Sequence, residues 1–220
     1  MTRDVLLACL AFLTLTACDS SETVRYRLTV EVDTPQGERE GSSVIEVEVR
    51  EQPPGPTLGN KVRLRHHGEA VAVDMPNGKT LFALLYNERD LVEAGNLYPW
   101  RALLPAPGGD HAWGVRAARN LEKREGPYPL PPAFYPTFVT FDDPTNHATI
   151  ILLDKDDIAA EFGSGTRISN VTVEMTDDRV TRGLPDRLPW LTDPTLESSP
   201  NDVYPEGLPL GNFRGLFHRK

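Results

Sequence analysis

The sequence is poor in cysteine and has no long apolar run. Its 220 residues include two cysteines, Cys9 and Cys18. Cys9 lies in the apolar segment from Val5 to Thr16, so a single cysteine remains in the rest of the chain. One thiol excludes an intramolecular disulfide framework and a multi-cysteine zinc site there. The apolar segment itself is shorter than the roughly 20 residues that a membrane-spanning helix needs.

The sequence also has fewer basic than acidic residues. The chain has 23 Lys and Arg residues against 32 Asp and Glu residues, which gives a net charge of −9. A nucleic-acid-binding protein needs Lys and Arg side chains to displace counterions from phosphates. The charge therefore argues against a nucleic-acid partner. It also argues against electrostatic attraction to an anionic membrane surface.

The motifs that carry common enzyme chemistries are missing. The chain contains no Gly-x-Ser-x-Gly turn, no Ser-x-x-Lys sequence and no Gly-rich phosphate loop. The adjacent His66 and His67 point to opposite faces of a strand, so they cannot hold one metal ion together. We therefore predict a protein that is not an enzyme and that has no cofactor.

What the sequence does contain is a specific N-terminal signal. The apolar segment ends in Leu15-Thr16-Ala17-Cys18, with Arg3 before it. A positive start, an apolar core and small residues before a cut site are typical of a secretory signal. With a cysteine at this position, the motif resembles the lipobox of bacterial lipoproteins. The resemblance implies cleavage before Cys18 and acylation of Cys18 with fatty acids such as palmitate.

This resemblance predicts the domain organisation and the location. Residues 1–17 are a signal peptide, residues 18–23 a short lipid-proximal linker, and residues 24–220 a single β-rich domain. The lipid on Cys18 is expected to hold the domain at the cell membrane, facing the periplasm. Asp19 resembles the residue that retains lipoproteins in the inner membrane, but the choice between inner and outer membrane stays open.

Strand patterns dominate the first half of the domain. Residues 24–32 and 43–50 alternate apolar and polar side chains and predict a hairpin. Residues 61–66 and 69–74 predict a second hairpin around His67-Gly68. Asn77-Gly78 is a strong turn signal before a buried strand over residues 80–86. On the polar face of the first hairpin, Arg25 and Arg27 are expected to pair with Glu46 and Glu48.

The second half is less regular. Residues 137–141 and 148–153 predict paired strands, and residues 167–176 predict the last strand, with a slip near Asn170. Short helices are expected over residues 113–123 and 155–162. From about residue 178 the chain is irregular, with Trp190 and Leu191 as its anchor to the core. The 20 prolines and 17 glycines favour turns over long helices. We predict a mainly β fold: an antiparallel sandwich or partly closed sheet with one or two short helices and long proline-rich loops.

Three segments of the domain resemble a group of proteins. Residues 135–144, 156–163 and 187–191 resemble segments of uncharacterised proteobacterial lipoproteins. This resemblance agrees with the lipoprotein prediction and a single domain. It implies no activity.

Acidic residues in the second half are weak candidates for a metal site. They are Asp142, Asp143, Asp154 and Asp156. The sequence from Asp154 fails the EF-hand pattern, which requires glycine at position 6 where this chain has Ala159. A simpler interpretation is that Asp154 caps a helix over residues 155–162. A calcium site assembled by the tertiary fold remains the alternative, and no metal ligand is predicted outright.

The sequence as a whole predicts location better than activity. We expect a membrane-anchored periplasmic lipoprotein that serves as a non-catalytic accessory or interaction module of the cell envelope. Its expected partners are the lipid bilayer, through acylated Cys18, and an envelope protein. The alternative function is that of a lipoprotein that binds a small ligand or calcium.

Overall fold

A computed structural model of the chain describes residues 20–52, 61–91, 93–103, 114–193, 208 and 213–219. Cys18 and the rest of the lipobox lie outside the described residues. Among the residues described, no helix is both long enough and apolar enough to cross a membrane.

The larger of two antiparallel sheets contains the first predicted hairpin. It has six strands in the order β10-β3-β2-β1-β9-β6. The strands are β1 (Ser20–Asp33), β2 (Arg39–Gln52), β3 (Lys61–Glu69), β6 (Tyr128–Pro129), β9 (Arg167–Met175) and β10 (His218–Arg219). β1 and β2 pair over nearly their whole length, with Tyr26 opposite Ile45. The slip predicted near Asn170 is confirmed as a register shift where β9 pairs with β1.

The smaller sheet has four strands in the order β4-β5-β7-β8. They are β4 (Val71–Asp74), β5 (Thr80–Ala83), β7 (Phe138–Phe141) and β8 (Ile150–Leu153). Asn77-Gly78 forms the predicted turn between β4 and β5, and Gly78 adopts the positive φ of +83° that glycine tolerates best. The predicted pairing of residues 137–141 with 148–153 is confirmed as β7 with β8.

The two sheets pack face to face, and a third layer covers the smaller one. One core joins the apolar faces of β1 and β2 to residues of the smaller sheet such as Val71 and Leu81. A second core joins the other face of the smaller sheet, including Phe82 and Phe141, to the C-terminal segment. The mainly β, sandwich-like fold predicted from the sequence is therefore confirmed.

The described residues contain five helices, more than the one or two predicted. They are α1 (Ala94–Leu103), α2 (Val115–Leu121), α3 (Ala159–Phe162), α4 (Leu184–Arg187) and α5 (Phe213–Phe217). α1 forms although it contains Pro99, which cannot donate a backbone hydrogen bond to the carbonyl of Gly95. The buried Tyr26 hydroxyl donates to that carbonyl instead, at 2.7 Å. This contact comes from a distant strand, so local sequence could not predict it.

The prediction of a second hairpin over residues 61–74 is wrong. β3 pairs with β2 and β10 in the larger sheet, whereas β4 pairs with β5 in the smaller one. The chain crosses between the sheets at the buried Ala70, whose N–H donates to the carbonyl of Phe217 at 2.7 Å. Local alternation specifies that two strands exist but not which partner each one takes.

The boundary of the predicted linker also needs correction. β1 begins at Ser20, and Ser20 lies opposite Glu51 of β2. Residues 20–23, placed in a lipid-proximal linker by the sequence, are therefore part of the sheet. These residues are all polar and lack the apolar alternation by which a strand is recognised, so the sequence did not predict that they pair with β2.

Candidate functional site

The acidic candidates for a metal site lie at two separate places. Asp142 and Asp143 follow β7, and Asp154 and Asp156 follow β8. Because β7 and β8 are antiparallel, with Phe138 opposite Leu153, the two pairs lie at opposite ends of the hairpin. A strand rises about 3.3 Å per residue, so about 10 Å separates the two ends. The structure does not bring these four carboxylates together.

Each candidate carboxylate also has a local partner. Asp142 accepts a hydrogen bond from Lys79 at 2.9 Å, and Asp156 pairs with Lys155. Hydrogen bonds from Thr145 lower the pKa of the Asp143 carboxyl below its usual value. Within the described ranges, no three His, Cys, Asp or Glu side chains are grouped so that they could hold a metal ion.

The helix-capping role predicted for Asp154 is wrong. α3 begins at Ala159, and the residue preceding it is Ile158, which provides no side-chain cap. Asp154 instead accepts a hydrogen bond from the backbone N–H of Asp156 at 2.9 Å. It therefore stabilises a turn after β8. Aspartate favours such turns as strongly as helix starts, and sequence alone does not separate the two.

A concave surface lies at the β3 edge of the larger sheet. This groove has a volume of about 860 Å³. Three of its walls are the end of β3, the strand β10 and the segment formed by residues 179–186, and Arg25 of β1 and Glu46 of β2 also line it. The 179–186 segment is held on β2, because Thr181 and Val44 exchange two hydrogen bonds, of 2.8 and 3.0 Å. We call this concavity the edge groove.

A buried glutamate joins the three walls of the edge groove. Glu69, at the end of β3, is only 2% exposed. One of its carboxylate oxygens accepts a hydrogen bond from the Leu184 N–H at 2.8 Å, and the other lies 3.1 Å from Nδ1 of His218. A buried carboxylate is costly unless it is hydrogen-bonded, so these contacts explain why Glu69 is tolerated there.

Arginines line the edge groove, and three of them have no acidic partner. Arg25 pairs with Glu46 at 2.8 Å, as the sequence predicted, whereas Arg27 pairs with Asp178 and Glu174 and not with Glu48. Arg179, Arg182 and Arg219 form no ion pair with any described residue. Four arginines and three acidic residues, Glu46, Glu69 and Asp186, line the groove, and Glu46 and Glu69 already have partners within the protein.

Two histidines line the edge groove, His67 and His218, and the contacts of His218 are structural. Nδ1 of His218 faces Glu69, as in many catalytic pairs. Its Nε2, which would have to reach a substrate, is buried and has no hydrogen-bond partner among the described residues. A general base must lie within hydrogen-bond reach of the proton that it takes. This pair therefore secures β10 to β3.

Sequence reasoning did not identify the edge groove. Its main residues lie in the segment described as irregular, from about residue 178, and at the end of β3. Glu69 and His218 are 149 positions apart, so only the fold brings them together. The available signal was the local density of basic residues: Arg179 and Arg182 lie close together in an acidic chain.

Comparison with known proteins adds no functional assignment to this geometry. The chain matches no protein-family model, no curated protein and no solved structure.

Proposed function

We propose that this protein is a non-catalytic binding module of the bacterial cell envelope that recognises an acidic partner in the edge groove. Acylated Cys18 anchors it to the membrane, facing the periplasm. The observation that carries the proposal is the set of arginines in the groove, Arg179, Arg182 and Arg219, which pair with no described acidic residue. Carboxylates or other anions on a partner supply the missing charge.

The position of β1 supports a role close to the membrane. β1 begins at Ser20, two residues after Cys18, and a residue extends at most about 3.6 Å. Lipid on Cys18 therefore keeps the first end of the larger sheet close to the bilayer. Arg25, which lines the groove, lies five residues after Ser20, about 17 Å along β1 from the start of the strand.

Arginine suits recognition of this kind. Its planar guanidinium binds carboxylates through two parallel hydrogen bonds, and it carries its charge at every physiological pH. Exposed ion pairs contribute little stability one at a time. Complementary charge across an interface mainly raises the association rate and selects the partner. The groove arginines are therefore expected to decide which partner binds.

A small anionic ligand is the second candidate for the edge groove. The groove volume of about 860 Å³ falls within the range of small-molecule sites, roughly 300–1,000 Å³. In that case the protein is a ligand-binding lipoprotein, and the same arginines hold the ligand. A protein partner differs because it is retained stoichiometrically through detergent extraction, whereas a small ligand is lost on dialysis.

The test is a pull-down of the tagged full-length protein from detergent-solubilised membranes. The groove variant carries Arg179→Glu, Arg182→Glu and Arg219→Glu. The matched control carries Arg116→Glu, Lys123→Glu and Arg124→Glu, which change the net charge equally at exposed positions outside the groove. We expect stoichiometric partners with the wild type and the control, and their loss with the groove variant.

A Cys18→Ala form tests the anchor in the same experiment. Partners that disappear with this form show that lipidation is needed for the interaction, and mass spectrometry of the wild-type N-terminus checks acylation directly. If the groove variant retains the same partners as the wild type, recognition does not depend on these arginines and the proposal is wrong.

A further inference from the structure

β3 forms an incompletely covered edge of the larger sheet. One side of β3 pairs with β2 from Lys61 to His67. On its other side, β10 pairs only with Gly68 and Glu69. No other strand in the described part of the chain lies beside β3, so its first seven residues form an open edge.

The hydrogen-bond pattern shows which residues face this open edge. In an antiparallel ladder, alternate residues direct their N–H and C=O groups to the same side. Ala70 donates to Phe217, just before β10, so Gly68, His66, Leu64 and Val62 face the same side. β2 gives an independent check, because Val44 directs its backbone groups to Thr181, on the side of β2 away from β1. The even-numbered residues of β2 therefore direct their backbone groups toward β3. There they pair with the odd-numbered residues of β3.

Among the described residues, the backbone groups of Val62, Leu64 and His66 therefore have no ladder partner on this side. No hydrogen bond to another described residue engages them outside the β2 pairing. The other edges of the two sheets are less suited to pairing. β6 contains Pro129 and lies among further prolines, which cannot donate to a new strand, and β4 and β8 have four residues each.

The side chains along this edge have opposite characters on the two faces. Arg63 and Arg65 are exposed on the outer face, and Arg63 lies directly opposite Arg50 of β2. Arg65 lies opposite Glu48, which pairs with Arg50, so these four outer-face residues are three arginines and one glutamate and carry an excess of positive charge. On the inner face, Val62 and Leu64 are only half-buried against the core.

We propose that an extended acidic segment of a partner protein adds to the open edge of β3 as a further strand. Its backbone bonds to Val62, Leu64 and His66, its acidic side chains face Arg63 and Arg65, and its alternate apolar side chains cover Val62 and Leu64. Strand addition of this kind takes affinity from the main chain and specificity from alternate side chains. A second copy of β3 fits poorly, because arginine would face arginine. This inference rests on the proposed function and specifies how the acidic partner binds.

The test uses a synthetic peptide of alternating valine and glutamate, with the full-length protein in detergent micelles. Amide hydrogen exchange is measured residue by residue with and without the peptide. We expect the peptide to slow exchange at Leu64 and His66, whose N–H groups face the open edge. Arg63 and Arg65 already bond to β2 and are expected to change little. This alternation distinguishes strand addition from binding elsewhere.

Peptide affinity is measured in parallel by fluorescence anisotropy. A variant with Arg63→Glu and Arg65→Glu should bind at least about tenfold more weakly, because two attractive cross-strand pairs become repulsive. Arg116→Glu with Lys123→Glu is the matched control and should bind as the wild type does. A peptide of alternating valine and lysine should not bind. The exchange measurement uses the wild-type protein, so it does not depend on whether the variants fold.

Three results would overturn this inference. The first is slow amide exchange at Leu64 and His66 in the absence of the peptide. The second is dimerisation through the β3 edge, in which a second copy of the chain occupies the site. The third is peptide binding that does not slow exchange at alternate residues of β3. None of these results decides the proposed function, because the pull-down tests Arg179, Arg182 and Arg219 and leaves β3 unchanged. If partner binding depends on the groove arginines but does not slow exchange at the open edge, the strand-addition inference is wrong and the proposed function stands.

Discussion

His66 is a titratable residue in an unusual, buried environment. It is 2% exposed, and neither ring nitrogen makes a hydrogen bond of good geometry with a described residue, although the nearby Asn96 side chain partly opposes the fall in its pKa. α1 lies so close that a Cβ on Gly95 would be 3.0 Å from the ring. Burial lowers the pKa of His66 from 6.5 to about 4, and the nearby charge of Arg219 adds to the effect. The imidazole is therefore neutral in the folded protein at neutral pH.

This burial predicts how stability depends on pH. In the unfolded chain His66 is protonated below about pH 6.5, whereas in the folded protein it is protonated only below about pH 4. The free energy of unfolding should therefore fall as the pH drops from 6.5 to 4, by about 3 kcal/mol from this residue. His66→Leu should remove that loss, because leucine fills the site and needs no hydrogen bond.

Urea unfolding at pH 7 and pH 4.5 measures the effect. The His66→Leu variant should lose less stability between the two values than the wild type does. His67→Gln, at the half-buried neighbouring position, is the matched control. An unchanged difference between the two pH values in His66→Leu would contradict the assignment. The sequence predicted that His66 and His67 take opposite faces, but not that α1 would enclose His66.

At the scale of elements, the crossing of β4 over β2 holds the two sheets together. Gly41 of β2 lies where β4 crosses it. A Cβ added to Gly41 would lie 2.2 Å from the carbonyl oxygen of Ala72, a backbone atom that cannot rotate away. The sequence marks Gly41 only as a glycine just before a strand pattern. Its role appears once β3 and β4 are seen to belong to different sheets.

Gly41→Ala tests this close approach. We expect the added methyl group to push β4 from β2 and lower the free energy of unfolding by about 2 kcal/mol or more, as overpacking does in tight cores. Glu40→Ala, at the exposed neighbouring position of the same strand, is the control and should stay within about 0.5 kcal/mol of the wild type. Denaturant unfolding compares the three proteins. Equal stability of Gly41→Ala and wild type would show that the sheets can separate freely at this point.

At the scale of the whole molecule, the C-terminal segment is a structural layer. Trp190 stacks on Phe213 at 5.4 Å and meets Phe217 edge to face at 5.2 Å. Phe217 in turn packs on Phe82 and Phe141 of the smaller sheet. The sequence correctly predicted Trp190 and Leu191 as anchors, and both are buried. Phe213 and Phe217 complete the second core together with these two anchors.

Removing this layer should prevent normal folding. A chain that ends at Asp177 exposes the apolar face of the smaller sheet, because its second core loses the C-terminal partners. We expect it to aggregate, to bind a hydrophobic dye and to lose a sharp thermal transition. A full-length Trp190→Ala protein is the milder comparison and should lose about 3–5 kcal/mol. A truncated chain that stays monomeric and melts cooperatively would show that two sheets are sufficient.

The sequence by itself determined the elements whose cause is local. Strand alternation specified β1, β2 and β9, turn chemistry specified the β4–β5 turn, and together they specified a mainly β fold. The lipobox prediction for Cys18 also depends on local sequence alone. In each case neighbouring residues carry the physical signal, through the period of two or through the backbone freedom of glycine.

Only the tertiary structure decided which strands are neighbours and which charges meet. It separated β3 from β4, divided the acidic candidates between two ends of a hairpin, and joined Glu69 to His218 across 149 positions. Within the part of the chain that the structure describes, it also left the edge of β3 open beside an arginine-lined groove. Such contacts depend on how apolar faces share a core and where buried polar groups find partners, which no short stretch of sequence contains.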